Sequence, residues 1–228
     1  MCELCKDTGW VHYTKDDKDY ARRCECQEII DAENRLKKSG ISEEFLKKSF
    51  DNYNDRDKIP LHIAKDKAMK YCERFQEIRH ERFNSILFMG QVGSGKTHLS
   101  MAICNTLMNE QKTPVLYMPY REAILKIKQS VKDEINYQRA IDRYKNTPVL
   151  MIDDLLKGKS TDADLNILFE IINHRYLNNA PMIVSTELMP NQLLNYDEGV
   201  MSRLIEMSRD YMVEIKGQEY NYRLNGGR

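Results

Sequence analysis

The stretch Ile86-Leu-Phe-Met-Gly-Gln-Val-Gly-Ser-Gly-Lys-Thr-His98 decides the fold of this 228-residue chain. It opens with a short apolar run, Ile86–Met89, which is typical of a strand buried on both faces. Gly90–Thr97 then matches the pattern G-x-x-x-x-G-K-T, and a helical pattern follows from His98. In such a loop the glycines let backbone N–H groups converge on phosphate oxygens, and the helix adds its positive N-terminus. The stretch therefore predicts a phosphate-binding loop.

The loop also predicts what its individual side chains do. We expect Lys96 to be exposed and to neutralise the β- and γ-phosphates, and the Thr97 hydroxyl to ligate Mg²⁺. The chain has no Asn-Lys-x-Asp segment of the kind that reads guanine, so ATP is the predicted nucleotide. The predicted nucleotide-binding residues are Gly90, Gln91, Val92, Gly93, Ser94, Gly95, Lys96, Thr97 and His98.

A second apolar run, Val149–Ile152, ends in two carboxylates, Asp153 and Asp154. Parallel sheets place their chemistry at the carboxyl ends of strands, so we expect this end to lie beside the phosphate-binding loop. Asp153 is then the predicted magnesium ligand, acting through water, and Asp154 is predicted to orient or deprotonate the attacking water. Taken without the loop, the two aspartates would also fit a solvated acidic turn.

Short apolar runs alternate with helical patterns from Ser85 onward, which predicts an α/β fold. We expect a three-layer αβα core with a five-stranded parallel sheet, and Leu165, Leu168, Phe169, Ile172 and Tyr176 on one face of a helix. Residues 1–50 are predicted to be a small cysteine-rich module with a helical linker, and residues 51–228 an ATPase domain. The predicted strands are Ile86–Met89, Val115–Met118, Val149–Ile152, Met182–Val184 and Tyr211–Ile215.

Composition narrows the class of protein further. Lys plus Arg and Asp plus Glu both number 35, so no overall field recruits nucleic acid or a membrane surface. No apolar run reaches the roughly 18 residues that cross a bilayer. No signal peptide is visible at the N-terminus, so we expect a cytoplasmic protein without a membrane partner.

Four of the six cysteines lie within the first 26 residues, as Cys2-x-x-Cys5 and Cys24-x-Cys26. Four thiolates from two tight turns suit a tetrahedral zinc site, with His12 as a substitute ligand. Zinc would supply folding energy that so small a unit lacks, with Trp10, Val11 and Tyr20 packed as a miniature core. Free thiols or a redox pair are the alternatives. A zinc ion with four protein ligands has no open coordination position for catalysis. The predicted function of this module is therefore to bind a partner protein.

Taken together, these motifs resemble the AAA+ ATPases of the bacterial helicase-loader type, DnaC and DnaI, and are similar also to the transposition helper IstB. The resemblance runs from the first cysteines to about Ile215. It is carried by Gly90–Thr97, Val149–Leu155, Ile183–Leu188 and Ser202-Arg203-Leu204, with the lead-in segments Ser39–Phe45 and Phe50–Tyr53.

The resemblance implies roles for several residues. Ile183–Leu188 corresponds to the sensor-1 strand, whose polar tip senses the γ-phosphate. The family usually has Asn at this tip, whereas this chain has Glu187. A triphosphate would repel a carboxylate, so we expect Glu187 to turn away from the nucleotide and Thr186 or Ser185 to sense the γ-phosphate. Arg203 corresponds to an arginine finger that reaches into the ATP site of a neighbouring subunit, which implies self-association through ATP sites. A local ion pair is the alternative for Arg203, and Arg209 or Arg175 would be the next finger candidates.

Arg121–Asn146 is predicted to be one long charged helical stretch. In replication initiators and loaders an extra helix at this place lines a channel for single-stranded DNA. Lys126, Lys128, Lys132, Arg139 and Arg143 would then meet phosphates. A solvated helix face explains the stretch equally well, because Asp133, Glu134 and Asp142 offset much of the charge.

The sequence therefore predicts a loader of a replicative DNA helicase that uses ATP, Mg²⁺ and Zn²⁺. The predicted partners are that helicase, single-stranded DNA and further copies of this chain. An IstB-like transposition helper is the first alternative. A small-molecule P-loop kinase is the second, although it leaves the sensor and Arg203 motifs unexplained.

Overall fold

A computed structural model describes residues 2–27, 30, 31, 34, 43–55 and 58–225. Near the N-terminus, β1 (Trp10–Lys15) and β2 (Lys18–Arg23) form an antiparallel hairpin in which Tyr13 pairs with Tyr20. The segment Ser42-Glu43-Glu44 predicts a helix start. Ser42 lies outside the described residues, and α1 spans Glu43–Leu46.

The central sheet contains five parallel strands: β3 (Ile86–Gly90), β4 (Val115–Pro119), β5 (Val149–Leu155), β6 (Met182–Thr186) and β7 (Met212–Ile215). Their order in the sheet is β4-β5-β6-β3-β7. Successive residues of each strand face opposite sides: Ile86 and Phe88 pack into one apolar cluster, Leu87 and Met89 into the other. This two-sided burial explains why the strands read as continuous apolar runs. The predicted α/β fold is confirmed.

Helices cover both faces of the sheet. The first face packs against α2 (Ile59–Ile78) and α3 (Lys96–Asn109). The second packs against α4 (Tyr120–Gln129), α5 (Glu134–Asn146), α6 (Asp162–Leu177), α7 (Pro190–Leu194) and α8 (Glu198–Met207). Short 3₁₀ turns at Arg209–Tyr211 and Gln218–Tyr220 precede β7 and the last described helix, α9 (Tyr222–Asn225). None of the described helices is long and apolar enough to span a bilayer.

Two local expectations were wrong. The predicted continuous helix over Arg121–Asn146 is broken between Gln129 and Glu134, because the Ser130 hydroxyl bonds back to the Ile127 carbonyl and Asp133 caps α5 through the Asn136 N–H. Phe169 does not share the buried face of α6, since 43% of its surface is exposed.

Arg175, on α6, is the largest fully buried side chain of the described residues. Its guanidinium donates to the carbonyl oxygens of Tyr144, Lys145, Thr147, Pro148 and Pro181 at 2.8–3.3 Å. Burial lowers the pKa of Arg175 to about 9. Arg175 therefore ties the end of α5 to the starts of β5 and β6, and it is not available as an arginine finger.

Candidate nucleotide-binding site

The phosphate-binding loop connects β3 to α3 at the carboxyl edge of the sheet. Gly90 has a φ of +116°, and a Cβ there would lie 2.1 Å from the Ile215 carbonyl oxygen, so only glycine fits where the loop leaves the sheet beside β7. Gly95 has a φ of +88° and precedes the first turn of α3. The loop thus presents the N-terminus of a 14-residue helix, which favours an anion.

Lys96 is buried, with 5% of its surface exposed, so the prediction of an exposed side chain was wrong. Its Nζ donates to the Gly90 and Gln91 carbonyl oxygens at 2.9 and 2.8 Å, so the loop folds around the ammonium group. Burial lowers the pKa of Lys96, and the carboxylates of Glu187, Asp154 and Asp153 oppose this effect in that order.

Asp153 lies at the end of β5, directly beside Thr97. Its Oδ1 accepts from the Thr97 hydroxyl at 2.9 Å and from the Ser185 hydroxyl at 2.5 Å, and its Oδ2 accepts from the Tyr117 hydroxyl at 3.2 Å. Burial raises the pKa of Asp153, and the bond from Ser185 is the main opposing influence. The structure thus brings together the hydroxyl and the carboxylate that the sequence assigned to magnesium, two oxygen donors of the kind Mg²⁺ prefers.

Asp154 lies within β5 in a left-handed backbone conformation, with a φ of +54°, where the pairing of β5 with β6 shifts register between Ile152 and Leu155. Its backbone N–H donates to the Ser185 hydroxyl at 3.0 Å. The Lys157 Nζ lies 2.7 Å from Asp154 Oδ2 and 3.1 Å from Glu187 Oε1. The hydrogen bond to Asp154 is the main cause that raises the pKa of Lys157.

Ser185 and Thr186, the predicted alternatives to Glu187 for sensing the γ-phosphate, form their hydrogen bonds within the sheet. Ser185 and Thr186 are both fully buried. The Thr186 hydroxyl donates to the Leu155 carbonyl at 2.8 Å and accepts from the Leu188 N–H at 3.2 Å. Glu187, by contrast, lines the cavity above the loop, so it does not turn away as the resemblance led us to expect.

The cavity has a volume of about 330 Å³ and contains residues that the motifs did not indicate. Tyr53 comes from the segment before the core; its ring meets that of His98 edge-on at 5.1 Å, and His98 bonds the Ser49 carbonyl at 2.9 Å. Tyr222, in α9, bonds the Gly93 carbonyl through its N–H at 2.8 Å. The lead-in Phe50–Tyr53 was visible in the sequence, but no local pattern pointed to Tyr222. The cavity is lined by Glu44, Lys48, Asn52, Tyr53, Asn54, Leu61, Val92, Gly93, Ser94, Gly95, Lys96, Thr97, His98, Asp154, Lys157, Glu187, Tyr222 and Arg223.

Arg203 lies on α8 and does not line this cavity. Its guanidinium bonds the Gly199 carbonyl and lies 5.5 Å from the centre of the Tyr176 ring and 5.8 Å from that of Phe169. These contacts are with its own helix and with α6. None of them is with a carboxylate, so they do not form the local ion pair that was the alternative role for Arg203.

The four N-terminal cysteines lie together, with their sulfur atoms all within 4.8 Å of one another. The Cys2–Cys24 and Cys5–Cys26 sulfur distances are 3.7 and 3.4 Å. Tetrahedral zinc with Zn–S bonds of about 2.3 Å would hold its sulfurs about 3.8 Å apart, so this donor set fits zinc. His12 is not part of the cluster.

The miniature core expected beside these cysteines is not formed. Trp10 is 53% and Tyr20 43% exposed, and Tyr20 stacks on Tyr13 with ring centres 5.6 Å apart. A two-stranded hairpin leaves both its faces open, so aromatic residues stack across the strands rather than bury.

Comparisons with known proteins agree with this geometry. The family model described as "Bacterial DnaA ATPAse domain" matches residues 62–207. Two relatives are from Bacillus subtilis (strain 168). The uncharacterized protein YqaM is 37% identical over 90% of this chain and 67% of its own length. The phage-like element PBSX protein XkdC is 35% identical over 100% of this chain and 87% of its own length.

Solved structures share the fold at low sequence identity. The DnaC helicase loader superposes with a TM-score of 0.68 at 21% identity, covering 77% of this chain and all of that one. Replication initiator DnaA bound to AMPPCP and single-stranded DNA superposes with a TM-score of 0.62 at 21% identity, covering 77% of this chain and 51% of that one. The resemblance to AAA+ ATPases of the helicase-loader type is confirmed, and the chain belongs to the family of the bacterial DnaA ATPase domain.

Proposed function

We propose that this protein hydrolyses ATP in an oligomeric assembly and thereby loads a replicative DNA helicase. The observation that carries the ATPase part is the 2.9 Å hydrogen bond between Thr97, at the helix N-terminus, and Asp153, at the end of β5. It joins the two magnesium-binding groups of a P-loop ATPase across 56 residues of sequence.

Each group of the site has a defined task in this proposal. The loop N–H groups and Lys96 bind the phosphates, and Thr97 and Asp153 hold Mg²⁺, which screens phosphate charge when bound. Ser185 and Tyr117 orient the Asp153 carboxylate through their hydroxyl groups. Asp154 orients the attacking water or accepts its proton. Turnover of ATP by the purified protein, absent when Mg²⁺ is withheld, is the direct test.

Arg203 serves in this proposal as a finger for the ATP site of a neighbouring subunit. It is partly exposed on α8 and lies outside its own cavity, which supports an action in trans. Self-association through ATP sites follows from this role, because an ATP site without a neighbouring subunit lacks the guanidinium group of Arg203.

Single-stranded DNA is the second proposed ligand. Lys126, Lys132, Arg139 and Arg143 are exposed on α4, α5 and the turn between them, whereas Lys128 is engaged with Asp164 at 2.8 Å. The DnaA structure of similar fold was solved with single-stranded DNA. Removing Lys132 and Arg139 together should weaken binding of an oligonucleotide and flatten its dependence on salt, whereas Lys159→Ala should not.

The cysteine module is proposed to grip the helicase, with zinc as a structural ion held by Cys2, Cys5, Cys24 and Cys26. The domain boundary at residue 50 stays a prediction, and it is a poor place to cut the chain. Asn105 on α3 donates to the Leu46 and Lys48 carbonyls at 3.0 and 2.8 Å, so removing residues 1–50 would also disturb the ATPase core. Cysteine variants of the full chain avoid this problem.

The deciding experiment is a pull-down of purified replicative helicase and of a transposase from the same host. The proposal expects capture of the helicase by the unaltered chain, loss of capture by Cys5→Ser/Cys24→Ser, and retained capture by Lys159→Ala. Capture of the transposase instead would establish the IstB-like alternative.

A further inference from the structure

Two carboxylates line the cavity beside the phosphate-binding loop, where we expect the γ-phosphate of ATP. Asp154 and Glu187 line the cavity with Lys96 and Thr97, and Asp153 bonds Thr97. Of these three carboxylates, Glu187 has the largest electrostatic influence on Lys96. A carboxylate about 4 Å from a phosphate oxygen would cost several kcal/mol at the dielectric of a protein surface, so Asp154 and Glu187 need compensation. In the proposed function Lys96 and Mg²⁺ neutralise charge on the phosphates, so a further cation is needed to balance Asp154 and Glu187.

Lys157 provides a second positive charge at this position. Its ammonium lies 2.7 Å from Asp154 and 3.1 Å from Glu187, and it lines the same cavity. The backbone directs it there: Asp154 and Leu156 both have left-handed conformations, with φ of +54° and +58°, and the Lys157 N–H bonds the Asp154 carbonyl at 3.1 Å. Left-handed non-glycine residues are costly and cluster at functional sites.

The charge balance explains why Glu187 is tolerated there. An ammonium group has three donors, and the two carboxylates use two of them. The third donor remains for an oxygen of a ligand in the cavity. Glu187 thus places a cation at the tip of β6, where an amide side chain would offer only a neutral donor.

We propose that Lys157 binds the γ-phosphate of ATP and that Glu187 is the positioning residue that holds it there. The proposal rests on the proposed ATPase function and deepens it. In this proposal the protein distinguishes ATP from ADP through the ion pair between Lys157, after β5, and Glu187, after β6.

The test compares binding of Mg²⁺-AMPPCP and Mg²⁺-ADP by calorimetry, using the full chain. Lys157→Ala should weaken AMPPCP binding about tenfold or more, as expected for loss of a charge-assisted hydrogen bond, and change ADP binding less than twofold. Lys159→Ala removes an exposed lysine from the same loop and should change neither. Thermal unfolding of Lys157→Ala should match that of the unaltered protein, because the pair is partly exposed.

Glu187→Gln tests the positioning role through the sign of its effect. With Lys157 present, the substitution should weaken AMPPCP binding or leave it unchanged. With Lys157→Ala it should strengthen AMPPCP binding severalfold, because Glu187 is then an unpaired carboxylate beside the phosphate. Equal strengthening in both backgrounds would show that Glu187 only repels the nucleotide, and would overturn its assignment.

Failure of this inference can be told apart from failure of the ATPase proposal. If the unaltered chain binds neither nucleotide, the ATPase proposal itself is wrong. If it binds both and Lys157→Ala weakens both equally, or neither, Lys157 is a surface ion-pair partner and the inference alone is overturned.

Discussion

Asp153 is the residue at which three strands and a helix of the site meet. Its carboxylate accepts hydrogen bonds from Thr97 on α3, Tyr117 on β4 and Ser185 on β6. Three donors around one buried carboxylate hold it in a single orientation, and they offset the cost of removing its charge from water. The orientation of a single group therefore depends on the packing of the whole sheet edge.

Ser185→Ala tests this arrangement. It leaves the buried Asp153 with two donors and the Asp154 N–H without its acceptor, so we expect a loss of about 1–3 kcal/mol in the free energy of unfolding. Denaturation with urea measures it. Ser202→Ala, at an exposed serine of α8, is the control and should change stability by less than about 0.5 kcal/mol. Equal stability of the two variants would contradict the orienting role of Ser185.

Lys96→Ala should abolish ATP binding or turnover while the fold survives. The side chain supplies charge to the phosphates, although its burial means that the Gly90 and Gln91 carbonyls also lose a donor. Circular dichroism should therefore show an unchanged spectrum with a modestly lower unfolding temperature. If the folded variant still hydrolysed ATP, the assignment of Lys96 to the ATP site would be wrong.

At the scale of elements, Arg175 connects α5, β5, α6 and β6 through five backbone carbonyls. Arg175→Met keeps much of the apolar volume and leaves those carbonyls without a donor. We expect the free energy of unfolding to fall by on the order of 3 kcal/mol or more, since each buried unsatisfied group costs about 1–3 kcal/mol. Arg139→Met, on the exposed face of α5, is the matched control. Similar urea midpoints for both variants would show that Arg175 is not structurally important.

The hairpin β1–β2 depends on its cysteines because neither of its faces is buried. Protein purified without added zinc or chelator should contain close to one zinc per chain, and Cys24→Ser should contain much less. Removing zinc should collapse the NMR signals of the hairpin and leave those of the ATPase core in place. A hairpin that stays folded without metal would favour the free-thiol alternative.

At the scale of the whole molecule, the proposed function has Arg203 act as an arginine finger between one chain and the next. Arg203→Ala should bind ATP nearly normally and hydrolyse it about a thousandfold more slowly, which is typical of lost fingers. Mixing it with Lys96→Ala should restore part of the activity, because one variant keeps a sound loop and the other a sound finger. An inactive mixture in which co-assembly is demonstrated would exclude Arg203. Arg209, exposed on the 3₁₀ turn before β7, would then be the next candidate, since Arg175 is buried.

The parts of this protein that the sequence determined by itself are those encoded locally. The strand, loop and helix of Ile86–His98 are contiguous, and their glycines and apolar run specify one geometry. The cysteines at positions 2, 5, 24 and 26 likewise predicted their own cluster. Each pair lies in one short segment, so a single contact between the two segments brings all four sulfur atoms together. Strand positions followed from apolar runs, since burial on both faces leaves little freedom in composition.

Which distant residues share the site depends on how the elements pack in three dimensions. Lys157 and Glu187 are 30 residues apart in the chain, and Tyr53 and Tyr222 come from opposite ends of the described ATPase core. Lys157 and Glu187 meet because the sheet order β4-β5-β6-β3-β7 places the ends of β5 and β6 side by side, and Tyr222 reaches the loop through its N–H bond to the Gly93 carbonyl. No periodicity or motif encodes such contacts, because they arise from how whole elements pack. Thus a glutamate that looked repulsive beside a triphosphate is, in the folded chain, paired with a lysine.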